Sequence, residues 1–435
     1  MRRVGLYTLG CKVSQYETEA IGEAFEARGF TVAPFDSVCD AYVINTCTVT
    51  AESDRKSRQI IRRAISRNPS ATVAVVGCYS QRAPEEVLGI EGVDIVIGTG
   101  GKLGVVERVI AKLESAEVKP YTAVESLDGA LFEPMTVTRA PRTRAYVKIE
   151  DGCESKCTYC AISPARGRVR SKLPEDVISE VEGLYRSGTR EIVLTGIETG
   201  SYGKDFDFDY GLGDLILELD RRGSCERIRL GSLAPELIGK KFVDKVKGCR
   251  ILAPHFHLSI QSGSDSVLRG MKRRYSRAMA LENIRYIRDN IPGAQFTTDL
   301  MVGFPGETEE DFLDTVSFAR EARFIDAHVF AYSRREGTPA AYYDGQIPES
   351  VKKERSRRLI AAKNEVRDRV LSDIVAEGAP LGVVLETYRD GRYTAHSEGF
   401  AEVTVDGPEE LVGEILEVVP VSHADGIIHA KPINC

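Results

Sequence analysis

The alternation of short apolar runs with helix-like segments most limits the folds open to this chain. "VGLYTLG" (4–10), "DAYVINT" (40–46), "TVAVVG" (72–77) and "VDIVIG" (93–98) are apolar almost throughout, as strands buried on both faces of a parallel sheet must be. Between them, "SQYETEAIGEAFEARG" (14–29) and "ESDRKSRQIIRRAISR" (52–67) carry helical periodicity. This βαβα order predicts an α/β fold that begins with a doubly wound parallel sheet. In such sheets the ligand crevice lies outside the strand carboxyl ends. Cys11, Cys47 and Cys78 each stand at such an end, so three cysteines distant in sequence are expected to converge. Small buried cysteines are common, but that alternative must account for all three equivalent positions.

A Pro- and Arg-containing stretch, "EPMTVTRAPRTR" (133–144), reads as a linker. Six further strand candidates follow: "AYVKI" (145–149), "EIVLTG" (191–196), "RIRLGS" (227–232), "FHLSIQ" (256–261), "FTTDLMVG" (296–303) and "AHVFAYS" (327–333). Alternating with helices, they predict a parallel barrel or partial barrel whose active site lies at the strand C-terminal face. "KKERSRRLIAAKNEVRDRVL" (352–371) reads as a charged connecting helix. From about 376 the pattern changes to short alternating runs with Asp-Gly turns at 390–391 and 406–407, the mark of a small antiparallel β-barrel or sandwich. The expected units are 1–130, 131–375 and 376–435.

The first barrel strand runs into "EDGCESKCTYCA" (150–161), with thiols at Cys153, Cys157 and Cys160 and no fourth ligand after them. Metal centres held by protein alone usually take four ligands. Three thiolates can hold three irons of a four-iron cluster and leave the fourth open to a small molecule. The alternative is a zinc site completed by His255 or His257, although structural zinc favours paired Cys-x2-Cys or His motifs. "MRRVGLYTLG" has no signal-like apolar region, and no run of about 18 apolar residues occurs, which predicts a cytoplasmic protein with no membrane association. In that reducing compartment ten cysteines point to metal or redox chemistry rather than disulfides. Cys39, Cys225, Cys249 and Cys435 lack partner spacing and read as packing or surface thiols.

"CESKCTYC" after the first strand of a six-unit barrel resembles the radical S-adenosylmethionine superfamily. That resemblance implies a [4Fe-4S] cluster whose open iron is chelated by the methionine moiety of S-adenosylmethionine, and whose reduction yields a 5′-deoxyadenosyl radical. It places Tyr159 near the adenine and Gly196 near the methionine amino group. Ser232, Gln261 and Asp299, which close later strands, are candidates for its carboxylate or ribose. For these four strand-end residues a hydrogen bond that stabilises the strand end is the alternative. The glycines of "VGFPGET" (302–308) lack the Gly-Lys-Ser/Thr of a phosphate loop and are expected to form a tight turn beneath the adenine.

The blocks "TLGCKVSQYETE" (8–19), "INTCTVT" (44–50), "VVGCYSQR" (75–82), "ARGRVRS" (165–171), "VLTGIETGSYG" (193–203), "HLSIQSGSDSVLRGMKRRYS" (257–276), "DLMVGFPGETEEDF" (299–312) and "FAYSRREGTPAA" (330–341) together resemble the methylthiotransferases of that superfamily. They are most similar to the branch acting on threonylcarbamoyladenosine in tRNA. The resemblance implies that Cys11, Cys47 and Cys78 hold a second [4Fe-4S] cluster and that the C-terminal unit is a TRAM barrel. It also implies two S-adenosylmethionine molecules, one as methyl donor and one as radical source. Partners are then tRNA, a flavodoxin- or ferredoxin-like electron donor and a sulfur source. No general acid or base is expected. Sister readings are a ribosomal-protein aspartate, isopentenyladenosine in tRNA, or a non-catalytic iron–sulfur or zinc scaffold that binds RNA.

Ser14, Ser163 (with the proline displaced to Pro164) and Glu198 depart from the family pattern. Charge is also unusual for an RNA binder. The chain carries 58 basic and 65 acidic residues, and 376–435 holds 11 acidic against 3 basic. An acidic C-terminal unit suits a basic protein substrate. Arg55, Arg58 and Arg62 on one helix, and Lys272, Arg273, Arg274 and Arg277 in "MKRRYSR", are the basic runs expected to meet RNA, with Arg166 and Arg168 nearer the chemistry.

Overall fold

The computed structural model describes residues 1–115, 120–140, 142–408 and 411–433; Cys435 lies outside them. Strands β1 (Arg3–Thr8), β2 (Thr31–Ala33), β3 (Ala41–Thr46), β4 (Thr72–Gly77), β5 (Ile95–Ile97) and β6 (Tyr121–Ala123) form one sheet, ordered β2-β1-β3-β4-β5-β6. Every pair is parallel. Val43, Ala74 and Val76 bury one face against helices, while Tyr42, Ile44, Val73 and Val75 bury the other. Covering both faces is what makes these strands read as continuous apolar runs. The strand order reverses between β1 and β3, which opens the crevice at their carboxyl ends.

The second unit contains β7 (Arg144–Lys148), β8 (Glu150–Asp151), β9 (Arg170–Ser171), β10 (Glu191–Thr195), β11 (Arg227–Leu230), β12 (Ser232–Leu233), β13 (His255–Gln261), β14 (Gln295–Val302) and β15 (Asp326–Ala331). β8 and β9 make a short antiparallel ribbon. The rest form two parallel sheets, β7-β10-β11 and β12-β13-β14-β15. These join because β12 continues β11 past Gly231, giving the six parallel strands of a partial barrel. Ala145, Val147, Leu194, Leu258 and Phe296 face the surrounding helices. Their alternates Lys148, Glu191, Arg229, His255 and Thr297 are buried and polar, so a period of two gives the barrel a polar interior.

β16 (Leu381–Arg389), β17 (Arg392–Ser397), β18 (Glu402–Asp406), β19 (Ile415–Ala424) and β20 (Ile427–Pro432) close into a barrel in the order β16-β17-β18-β20-β19. The helix Glu349–Glu377 lends Val366, Val370 and Leu371 to its core. This barrel docks at the strand starts of the central unit. Arg229 donates to the carbonyls of Ser397 (3.1 Å) and Glu398 (3.0 Å), Arg144 pairs with Glu386, and Phe400 stacks on His255 at 4.5 Å.

One expectation is corrected. The stretch 133–144 is not a free linker, because Met135 and Val137 are buried in the central core. The Met135 carbonyl accepts from Lys172 Nζ (2.8 Å) and from the Tyr16 hydroxyl, and Val137 N–H donates to Glu180 (2.7 Å). Its two apolar side chains and its carbonyl find partners that its Pro and Arg content does not announce. Cys39 and Cys225 are packing thiols in the core, and Cys249 is half-buried. Among the described residues no helix is long and apolar enough to cross a membrane.

Candidate metal and cofactor centre

Cys11 caps the helix Lys12–Ala27 directly after β1, Cys47 follows β3, and Cys78 opens the helix Cys78–Arg82 after β4. A Cβ placed on Gly10 would meet Cys47 Sγ at 3.4 Å, so the β1 end lies against the β3 end. The three thiols are within electrostatic reach of one another. Burial, with Cys78 and Cys11 adding to it, pushes the Cys47 thiol up to about 11. Burial also raises Cys78, against the pull of Arg166 and Lys102. Thiols raised in this way stay protonated until a metal displaces the proton.

Cys153, Cys157 and Cys160 lie on the loop after β8. Gly152 takes φ +93°, and a Cβ there would overlap the Arg168 carbonyl at 1.9 Å, so the entry to the loop requires glycine. Thr158 anchors the loop through its N–H to the Met271 carbonyl (3.1 Å) and its hydroxyl to the Gly270 carbonyl (2.8 Å). Arg273 donates to Cys157 Sγ (3.3 Å) and to the Ser259 carbonyl (2.6 Å), and Ile162 N–H donates to Cys160 Sγ (3.3 Å). The Ser163 hydroxyl, at one of the positions that depart from the expected pattern, donates to the Cys153 carbonyl at 2.6 Å. Burial pushes Cys160 up to about 11.

The two cysteine sets share one interface. Arg166, on the short helix Ile162–Arg166 after Cys160, donates from Nε to Cys78 Sγ at 3.1 Å. It also pairs with Glu17 (2.6 Å) and Asp151 (3.1 Å). Lys148 reaches Glu17 at 3.1 Å and Asp151 at 3.2 Å, and Lys102 also pairs with Glu17. All are buried. Burial opposes the charge on Glu17, but Arg166, Lys102 and Lys148 hold its carboxyl well below the usual range. A second tie crosses the same crevice. Arg335, after β15, donates to Thr48 (2.7 Å) and Asp54 (2.6 Å) beside Cys47.

The strand-end candidates divide. Gly196 lies against Glu150, whose Oε2 would be 2.4 Å from a Cβ there. Glu150 Oε2 accepts from Glu198 N–H (2.9 Å), while Oε1 is buried without a partner. Gln261 takes φ +67° and its Oε1 is likewise buried without a partner. Tyr159 packs against the apolar group of Val267, Met301, Phe304 and Tyr332, which puts the "VGFPGET" turn beside it. Asp299 instead meets His257 (3.2 Å) and His328 (3.4 Å). Ser232 pairs with β13 through its backbone. Glu198 turns inward and accepts from Ala234 N–H (2.9 Å), and burial pushes its carboxyl up to about 7.

The residues fit the implied groups. Each cysteine triplet has at least one sulfur receiving an N–H or guanidinium donor, as cluster thiolates do. Two orphaned buried oxygens, Glu150 Oε1 and Gln261 Oε1, offer acceptors to an ammonium such as that of methionine. Zinc completed by histidine does not fit: His255 and His257 both bond Thr297, at 2.8 and 2.9 Å. Among the described residues no three His, Cys, Asp or Glu side chains gather around a single ion, whereas a cluster spreads its thiolates over separate irons.

Two families match the sequence: the radical SAM superfamily over residues 147–319 and uncharacterized protein family UPF0004 over residues 3–98. The threonylcarbamoyladenosine tRNA methylthiotransferase MtaB of Bacillus subtilis is 40% identical over 96% of this chain and 93% of its own. The chain belongs to the radical S-adenosylmethionine methylthiotransferase family. Another relative in it is the Thermotoga maritima MtaB, 37% identical over 85% of this chain and 82% of its own. The tRNA-2-methylthio-N(6)-dimethylallyladenosine synthase of B. subtilis is 35% identical over 96% and 83%. Among solved structures, the radical S-adenosylmethionine methyltransferase TsrM of Kitasatospora setae matches with a TM-score of 0.58 at 18% identity, covering 78% of this chain and 77% of that one. This last likeness is one of fold.

Several expected RNA contacts of this methylthiotransferase are engaged elsewhere. Arg273 and Arg166 are turned inward onto cysteine sulfurs. Arg55 pairs with Glu52, and Arg58 with Tyr79 and Glu86. Arg274 bonds the Glu154 carbonyl, and Arg277 the Asp314 carbonyl. Arg62, Arg168 and Lys272 stay exposed. Missed in the sequence were Glu17, Lys102, Lys148, Glu150 and Asp151. The inward register of "AYVKIED" hinted at Lys148 and Glu150, which alternate with the apolar Val147 and Ile149, and no signal pointed to Glu17 or Lys102.

Proposed function

We propose that this enzyme methylthiolates C2 of N6-threonylcarbamoyladenosine at position 37 of tRNA, giving 2-methylthio-N6-threonylcarbamoyladenosine. The observation that carries the reading is the bond from Arg166, six residues after Cys160, to Cys78 Sγ. It ties both cysteine triplets to one crevice, so a single substrate base can meet both. The substrate named for the relatives, threonylcarbamoyladenosine in tRNA, supports the choice within the family.

Cys153, Cys157 and Cys160 hold one [4Fe-4S] cluster, and Cys11, Cys47 and Cys78 the other. Together with S-adenosylmethionine they supply the radical and methylthio chemistry that acid–base groups lack at an unactivated ring carbon. The chain's own residues position and enclose. Glu150, beside Gly196, and Gln261 accept the cosubstrate's ammonium, and Tyr159 walls its adenine. The Arg335–Asp54 and Arg166–Glu17 pairs hold the two units closed against water. The units 1–130, 131–375 and 376–435 act as auxiliary-cluster domain, radical barrel and TRAM-like barrel. A flavodoxin- or ferredoxin-like donor and a sulfur source serve the enzyme in the cytoplasm.

Mass spectrometry of tRNA nucleosides from cells with and without the gene tests the reading. Loss of the methylthio nucleoside with accumulation of its threonylcarbamoyl precursor is expected. An unchanged profile overturns the tRNA assignment and directs the search to ribosomal proteins.

A further inference from the structure

Lys12 follows Cys11 directly and starts the helix that packs along β7. Its charged neighbours are Arg229, Arg144, the adjacent Cys11 and Asp299; the two arginines and Asp299 stand on the inner register of the barrel strands. Each of those barrel residues is already occupied. Arg229 is held by Glu191 and two carbonyls, Arg144 by Glu191 and Glu386, and Asp299 by His257 and His328. Lys12 itself makes no hydrogen bond or ion pair among the described residues. In contrast, Lys102, Lys148, Lys172 and Lys352, the buried lysines, all have carboxylate partners. An ammonium half-buried without a partner is costly to maintain, and it makes this end of the crevice a cation in want of an anion.

We propose that Lys12 receives the carboxylate of the substrate's N6 substituent and thereby selects an acidic modified adenosine over an apolar one. This rests on the reading of threonylcarbamoyladenosine as the substrate. The chemistry of the base supports it. C2 and C6 flank the ring nitrogen N1, so a group on N6, which is attached to C6, projects near the edge of the adenine that carries the reacting carbon. Cys11 and Lys12 are adjacent, with Cα atoms about 3.8 Å apart. A base brought to the Cys11 side of the crevice therefore lies next to the residue that carries the lysine stem. A charge-assisted bond to that carboxylate is stronger than a neutral one. An apolar substituent would leave Lys12 unpaired, and a site built for a polar partner rejects a ligand that lacks it.

The test is a binding cycle with anaerobically reconstituted enzyme and four anticodon stem-loop RNAs. These carry unmodified adenosine, threonylcarbamoyladenosine, its threonine-amide analogue or isopentenyladenosine at position 37. Wild type is expected to bind the threonylcarbamoyl RNA about tenfold more tightly than the amide analogue. Lys12→Met is expected to bind both equally, and Lys12→Arg to keep the preference. Iron content and affinity for the unmodified RNA report whether each variant is intact. Equal binding of the acid and the amide by wild type overturns the role of Lys12 whatever the variants do, as does a preference retained by Lys12→Met. If wild type does not distinguish threonylcarbamoyl from isopentenyl or unmodified RNA and modifies none of them, the substrate reading itself fails.

Discussion

Arg166 Nε donates to Cys78 Sγ at 3.1 Å while its NH1 holds Glu17 at 2.6 Å, so one buried guanidinium joins the loop after Cys160 to a cysteine of the other unit. Two carboxylates, Glu17 and Asp151, face four cations in this network: Lys102, Lys148, Arg166 and Arg170. The surplus positive charge opposes the burial that raises the Cys78 thiol.

Replacing Arg166 by Gln leaves buried carboxylates short of a partner and should destabilise the chain by about 3–5 kcal/mol, read by thermal denaturation. Arg166→Lys keeps the charge and loses the bond to sulfur. It should lower the midpoint potential of the cluster at Cys11, Cys47 and Cys78, because hydrogen bonds to cluster sulfurs favour the reduced state. An unchanged potential in a fully loaded Arg166→Lys protein would show that the contact does not tune the cluster.

Reconstituted wild-type enzyme should carry about eight irons per chain. Changing Cys11, Cys47 and Cys78 to Ala should halve that figure and spare S-adenosylmethionine cleavage. Changing Cys153, Cys157 and Cys160 should halve it and abolish cleavage. Iron analysis and 5′-deoxyadenosine release measure both. An unaltered iron count in the first triple variant removes the second cluster.

Gly196→Ala forces a methyl group to within 2.4 Å of Glu150 Oε2. The carboxylate must turn and give up its bond from Glu198 N–H. Overpacking of this kind costs about 1–3 kcal/mol, and affinity for S-adenosylmethionine should fall about tenfold by anaerobic equilibrium dialysis. Wild-type affinity in this variant would place the cosubstrate elsewhere.

Burial works against the charge of Glu191, yet Arg229 and Arg144 hold its carboxyl near about 2. A folded-state value below the unfolded 4.5 gives stability that is full above pH 4.5 and lost as pH falls toward 2. The shift corresponds to about 3 kcal/mol. Urea titrations of the apoprotein across that range should show the loss in wild type. Glu191→Gln should be weaker at neutral pH, since Arg229 loses its anion, and should lack this part of the acid dependence.

The alternation of apolar runs, the cysteines at three strand ends and the triplet at Cys153, Cys157 and Cys160 are local patterns. Each follows from sequence spacing, because a strand ends where its apolar run ends. The burial of Met135 and Val137 was not legible, since two apolar residues among Pro and Arg look like any loop. The inward turn of Arg273 and Arg166 was not legible either. A run of basic residues has the same composition whether it faces water or a buried sulfur.

The sequence by itself determined the broad order of strands and helices, the C-terminal change to short alternating strands, which pair antiparallel except for β18 with β20, and the place of each cysteine along them, because these depend on periodicity and residue type along a few turns. Only the tertiary structure decided which charges meet. Glu17, Lys102, the Lys148–Asp151 stretch and Arg166 come from four separate segments, and each is tolerable in the interior only because the others are there. That mutual dependence exists in space and has no sequence period, and Arg166 extends it to Cys78 on the other unit.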